Sequence, residues 1–113
     1  PRSEHMEQVE FVRLMRKRYP EIIGYANANG EARSKAGGQR LKMEGVLPGV
    51  PDLFLAEPWK LWHGLYIEMK RTAGGRVSDA QRLIIPRLIA KGYRVEVCRG
   101  ADEAMEALED YLR

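Results

Sequence analysis

A chain of 113 residues has the ordinary size of one domain and can bury a core of its own, so residues 1–113 are expected to form a single unit. Charged residues make up 31 % and hydrophobic ones 44 %, which excludes a disordered tract, and no apolar run approaches the roughly 18–20 residues that cross a bilayer. Thirteen Arg and six Lys face sixteen acidic residues for a net charge of +3, a mild excess that suits phosphate contacts, while one cysteine (Cys98) and two separated histidines (His5, His63) exclude an intrachain Cys/His zinc site. The lone cysteine and the lack of a leader-like apolar segment lead us to expect a reducing, intracellular setting without a membrane.

The first element is a helix over about Ser3–Arg18, with Ser3 as N-cap and Pro20 as the stop. At 100° per residue Phe11, Leu14 and Met15 share a core-facing stripe with Glu4 and Gln8, and Glu7 lies close to it. An inward carboxylate calls for a cation, unless it is simply a first-turn acid complementing the helix dipole. A short strand at Glu21–Asn27 follows. The stretch from Ala28 to Val50 then carries Arg33, Lys35, Arg40 and Lys42 among five glycines, with a short helix over about Ser34–Glu44. Basic and glycine-rich, it reads equally as a substrate-facing loop or an ordinary surface loop.

Asp52–Ala56 reads as a strand launched from the Gly49-Val-Pro51 turn. Gly64–Lys70 alternates, with Leu65, Ile67 and Met69 on one face and Tyr66, Glu68 and Lys70 on a polar one. The connection is short enough for a hairpin turning near Lys60. A helix over Ser78–Lys91 opens with a Ser78-Asp-Ala-Gln81 capping box, and Pro86 should kink it or shift its start. Gly92 ends that helix, Tyr93–Cys98 is a strand, and Asp102–Leu112 closes the chain as a helix with Met105, Leu108 and Leu112 inward. This order predicts an α/β sandwich around a mixed sheet.

The hairpin brings chemistry together. Glu68 and Lys70 project to one side of their strand, and a turn near Lys60 sets Asp52 opposite Glu68, with Cβ atoms about 5 Å apart. Carboxylates so close repel unless a divalent cation lies between them. Mg²⁺ and Mn²⁺ take oxygen ligands and are often held by one or two carboxylates, and the Met69 carbonyl can add an oxygen. Lys70 would then orient water or stabilise charge at a phosphodiester. Each piece is common alone, as a solvated strand face; their combination points to phosphodiester hydrolysis.

These residues resemble the PD-(D/E)XK nuclease superfamily, through Pro51-Asp52 and Glu68-Met69-Lys70. The likeness extends to the VRR-NUC family through Ser3–Gln8, Asn27–Gly30, Leu41–Leu53, His63–Arg71, Ser78–Gln81 and Gly92-Tyr-Arg-Val. The resemblance implies a restriction-endonuclease-like αβββαβ core with a mixed central sheet flanked by helices. It implies Mg²⁺ or Mn²⁺ dependence, cleavage of DNA, and a homodimer acting on branched substrates such as four-way junctions. It implies that Asp52 and Glu68 hold metal, that Met69 lends its carbonyl, that Lys70 is catalytic and that Glu4 is the helix acid, with Glu7 as the alternative. Gln81 matches a glutamine beside the site, although its capping box explains it equally well. Arg33, Lys35, Arg40, Lys42 and Arg71 are the expected DNA contacts. A dimer would use Met6 and Val9 on the first helix, or the last helix. The other readings are an inactive nucleic-acid-binding module of the same fold and a sequence-specific restriction-type enzyme, for which so short a chain has little room.

Overall fold

The computed structural model describes residues 2–27 and 35–113, with 35–37 as backbone alone. Helix α1 spans Glu4–Arg18, and the Ser3 hydroxyl accepts the Met6 N–H as its N-cap. Glu4 and Glu7 lie in its first turn and Arg16, Lys17 and Arg18 in its last, complementing the helix dipole at both ends. Strand β1 covers Gly24–Ala26, shorter than the expected Glu21–Asn27. Its pairing still reaches further, because Ala56 N–H donates to Ile23 O and Asn27 N–H to Asp52 O, each at 2.8 Å. Helix α2 spans Lys35–Met43 despite Gly37 and Gly38.

Strands β2 (Leu53–Leu55) and β3 (Gly64–Lys70) form the expected antiparallel hairpin. Leu53 faces Ile67, Phe54 faces Tyr66 and Leu55 faces Leu65. The turn is tight: Trp59 and Trp62 exchange backbone hydrogen bonds, and Lys60 takes φ +52° to close it. Helix α3 spans Asp79–Ala90 and crosses to β4 (Tyr93–Arg99), which runs parallel to β3 and ends in α4 (Ala101–Tyr111). The sheet order is β1-β2-β3-β4, antiparallel except for the last pair.

One face of the sheet is closed by α1 and α4. Phe11, Leu55, Leu65, Ile67, Met69, Ala104 and Leu108 are wholly buried there, and each large side chain contributes about 1.5–3 kcal/mol of apolar burial. The other face carries α3 and a set of packed rings, with Phe54 and Tyr66 centroids 4.6 Å apart and Tyr93 edge-on to both. Among the described residues no helix is long and apolar enough to cross a membrane.

Three expectations need correction. The face of β3 carrying Glu68 and Lys70 is not solvated: these residues are 4 % and 9 % exposed, and Gln81 from the first turn of α3 is buried with them. Pro86 does not shift the start of α3, which begins at Asp79 and runs through the proline. Pro86 and Arg82 are both solvent-exposed, so water can serve the Arg82 carbonyl that a proline leaves without its helix partner. In α4 the deeply buried residue is Tyr111, whose hydroxyl donates to Glu57 O at 2.6 Å, whereas Leu112 packs only partly.

Candidate active site

Asp52 immediately precedes β2, and Glu68 lies opposite it by extension of the hairpin register. Here side chains replace the backbone ladder. Asp52 N–H donates to Glu68 Oε1 at 3.1 Å, and Met69 N–H donates to Asp52 Oδ2 at 2.8 Å. Each carboxylate thus caps the other strand, which fixes both and draws them together. Lys70 Nζ stands 3.3 Å from Glu68 Oε2, and both side chains are largely buried.

Two more elements brace the pair. The Gln81 amide accepts Ser78 N–H through Oε1 at 3.0 Å, completing the capping box, and lies close enough to Glu68 to favour its ionised form. The cap is therefore made by the same amide that lies near Glu68. Asn27 holds the other side: its N–H donates to Asp52 O, and its Nδ2 donates to Pro51 O at 2.7 Å. Asn27 was missed as a positioning group because a turn asparagine has an ordinary local explanation in its own backbone. Gly49 was missed too. At φ +92°, a Cβ there would lie 2.4 Å from Ala80 O, so only glycine lets the loop before Asp52 rest on the first turn of α3.

Electrostatics favour a cation at this pair. Burial, then the Asp52 charge, pushes the Glu68 carboxyl up to about 7, against the opposing pull of Gln81 and Lys70. A site that strains to keep two carboxylates ionised beside one ammonium has room in its charge balance for a divalent ion. The donor set fits a hard cation: two carboxylates and the Met69 carbonyl, with waters to complete the shell. Among the described residues no group of three or more His, Cys, Asp or Glu side chains could hold a metal, so the fit is of the two-carboxylate kind. Cys98 offers no alternative chemistry, since burial and the nearby Glu96 and Glu103 raise its thiol to about 12.

The helix acids separate cleanly. Glu7, 6 % exposed, accepts Ala101 N–H at 2.9 Å and so caps the start of α4, with Arg2 3.8 Å away. Glu4 stays half-exposed beside the turn that follows Lys70: a Cβ on Gly75 would lie 3.5 Å from Glu4 Oε1 and 3.7 Å from Lys70 Cδ. Glu4 therefore shares the neighbourhood of Lys70, while Glu7 is committed to the fold. Of the expected DNA contacts, Arg40, Lys42 and Arg71 are exposed. Arg33 lies outside the described residues, as do Ala28–Gly30 and the side chain of Lys35.

A mixed sheet with helices on both faces and a half-buried Asp beside a buried Glu–Lys pair at the end of its hairpin describes a restriction-endonuclease-like protein of the PD-(D/E)XK type. The family model for the VRR-NUC domain matches residues 8–102. The chain belongs to this family, and is by that membership a nuclease-type domain. A solved structure described as a VRR_NUC domain protein superimposes with a TM-score of 0.85 at 21 % identity, over 99 % of this chain and 89 % of that one. No curated protein matches the chain. The family match begins at Gln8, so Glu4 and Glu7 are distinguished by geometry alone.

Proposed function

We propose that this chain is a Mg²⁺- or Mn²⁺-dependent DNA endonuclease whose 113 residues work as one unit, cutting branched DNA such as four-way junctions. The reciprocal capping of Asp52 and Glu68, with Lys70 at 3.3 Å, carries this reading. Asp52, Glu68 and the Met69 carbonyl would hold the cation; Glu4, expected to complete the shell, lies instead beside the Gly75 turn and does not join the two carboxylates. A divalent ion there supplies Lewis acidity at the phosphoryl oxygen. Lys70 donates to the attacking water or to a non-bridging oxygen, countering charge that builds in the transition state. Gln81 keeps Glu68 turned toward the cation, and Asn27 holds the Pro51–Asp52 backbone in place. Arg40, Lys42 and Arg71 grip phosphates on the flanking strand, joined by Arg33 and Lys35.

We further propose a homodimer, and the surface that supports it best differs from those expected. Leu83 and Ile89 on α3 are 72 % and 45 % exposed, and the neighbouring Val97 on β4 is also open. Met6 and Val9 on α1 are exposed as well, but α4 turns Asp102, Glu103, Glu106, Glu109 and Asp110 to solvent, and would repel its own copy.

The test is cleavage of labelled four-way-junction, flap and linear DNA with Mn²⁺, Mg²⁺ or EDTA. We expect cutting only with metal, and fastest on the branched substrates. Lys70→Ala should lose at least about 100-fold in rate while Mn²⁺ affinity, measured by calorimetry, stays within a few-fold. Cutting in EDTA would sink the metal mechanism. DNA binding without cleavage under any metal would favour the inactive binding module.

A further inference from the structure

Arg99 closes β4, directly beside Lys70 in the parallel register. Among the described residues its guanidinium is within ion-pair distance of no carboxylate. It donates instead to three carbonyls of one short turn: NH1 to Gly74 O and, at 3.5 Å, to Arg71 O, and NH2 to Gly75 O at 3.1 Å. That turn leaves β3 immediately after Lys70. Gly74 and Gly75 both take positive φ, +76° and +70°, a curl that points successive carbonyls inward at the fork. Without those donors the curl loses its reason to persist, because two adjacent glycines have many alternative conformations.

The turn is also a wall of the site. A Cβ on Gly75 would meet the Glu4 carboxylate at 3.5 Å and the Lys70 stem at 3.7 Å, so the turn lies beside both. The first turn of α1 and this segment line one cleft, bounded by Ser3, Glu4, His5, Arg71 and Gly75. Arg99 is itself oriented from behind: its backbone N–H donates to Glu103 Oε1 at 3.0 Å, and Gly100 N–H donates to Lys70 O.

We propose that Arg99 is a positioning residue, holding the Arg71–Gly75 turn closed so that the Lys70 ammonium and the Glu4 carboxylate stay fixed at the scissile phosphate. The inference rests on the nuclease reading for its catalytic half and on geometry alone for its structural half. A guanidinium is suited to this because its planar fork reaches several carbonyls at once, whereas an ammonium is a point charge on a flexible stem. The Asp52–Glu68 pair is built from β2 and β3 and does not depend on the turn.

The experiment compares wild type with Arg99→Lys and Arg99→Met, the first keeping the charge and the second only the stem. Two readouts are taken. Trypsin cleavage after Arg71 and Arg76, followed by mass spectrometry under native conditions, reports the turn without reference to activity. Steady-state cleavage of a labelled junction with Mn²⁺ reports the site. In both variants we expect cleavage after Arg71 to speed by an order of magnitude and kcat to fall roughly 10- to 100-fold, with KM and Mn²⁺ affinity within a few-fold of wild type. Wild-type kcat in Arg99→Lys would show that charge alone matters and overturn the proposal. So would an unchanged tryptic pattern in Arg99→Met, or an equal fall in Mn²⁺ affinity. If wild type cuts no DNA the nuclease reading fails, while the tryptic comparison still decides whether Arg99 holds the turn.

Discussion

Glu68 shows how a fold can hold a side chain in a state it does not favour by itself. In the unfolded chain its carboxyl ionises near 4.5, whereas in the fold burial and Asp52 raise that to about 7. Below pH 4.5 the group is protonated in both states and imposes no penalty. As pH rises toward 7 the unfolded chain releases its proton first, so stability falls across that window and levels off above it. The loss is on the order of 1–3 kcal/mol. In EDTA, urea melts of wild type should therefore weaken between pH 5 and 8, while those of Glu68→Gln change less; parallel curves would refute the strained carboxyl. Metal should reverse the trend, since a cation displaces the proton, and the thermal shift given by Mn²⁺ should be larger at pH 8 than at pH 6. Asp52, Glu68 and Lys70 were legible from spacing because a strand repeats every two residues and the hairpin turn is short. Asn27 and Arg99 were not, because each acts through backbone carbonyls, which no side-chain pattern records.

Among the elements, α3 depends on its neighbours more than its sequence suggests. Its capping box fixes where it starts, but its first turn is seated against the loop before β2 by Gly49, whose missing Cβ leaves room for Ala80 O. Gly49→Ala adds both a clash and a left-handed strain. It should destabilise the protein by about 1–3 kcal/mol and, by moving Gln81, cut kcat more than it changes DNA affinity. An effect on melting alone would mean that Gln81 is only a cap. Pro86 makes the opposite case. It interrupts the hydrogen bonding of an exposed helix face, so Pro86→Ala should stabilise by about 1–3 kcal/mol in urea unfolding without altering cleavage. No gain would mean that the helix is already relaxed around the ring. The capping box and the Gly92 stop were both readable, since they are local; the burial of Glu68 was not, because it depends on groups that Asp52 and Gln81 bring from other elements.

Over the whole molecule, exposed charge is unevenly distributed among the elements. Five acids line the outer side of α4, while Arg71, Arg76, Arg82, Arg87 and Lys91 are exposed on the turn after β3 and on or just after α3. Polyanion binding on that basic side should release counterions, so log Kd for DNA should rise linearly with log salt, and Arg76→Ala and Arg82→Ala should each reduce the slope by about one. Slopes unchanged in both would move the DNA elsewhere. Light scattering on wild type and Leu83→Glu tests the apolar side of α3: we expect a dimer that becomes a monomer, and a wild-type monomer at all concentrations would count against paired cuts at a junction.

By itself the sequence determined the elements, the mixed sheet, the hairpin register and the family, because these follow from periodicity, caps and turn chemistry acting over short stretches of chain. Only the tertiary structure decided that Glu7 serves the fold while Glu4 lies beside the Gly75 turn. It also brought Gln81 near Glu68 and tied Arg99 to the turn after Lys70. Those outcomes depend on contacts between residues far apart in sequence, such as Glu7 with Ala101 and Gly49 with Ala80, which no local pattern of residues records.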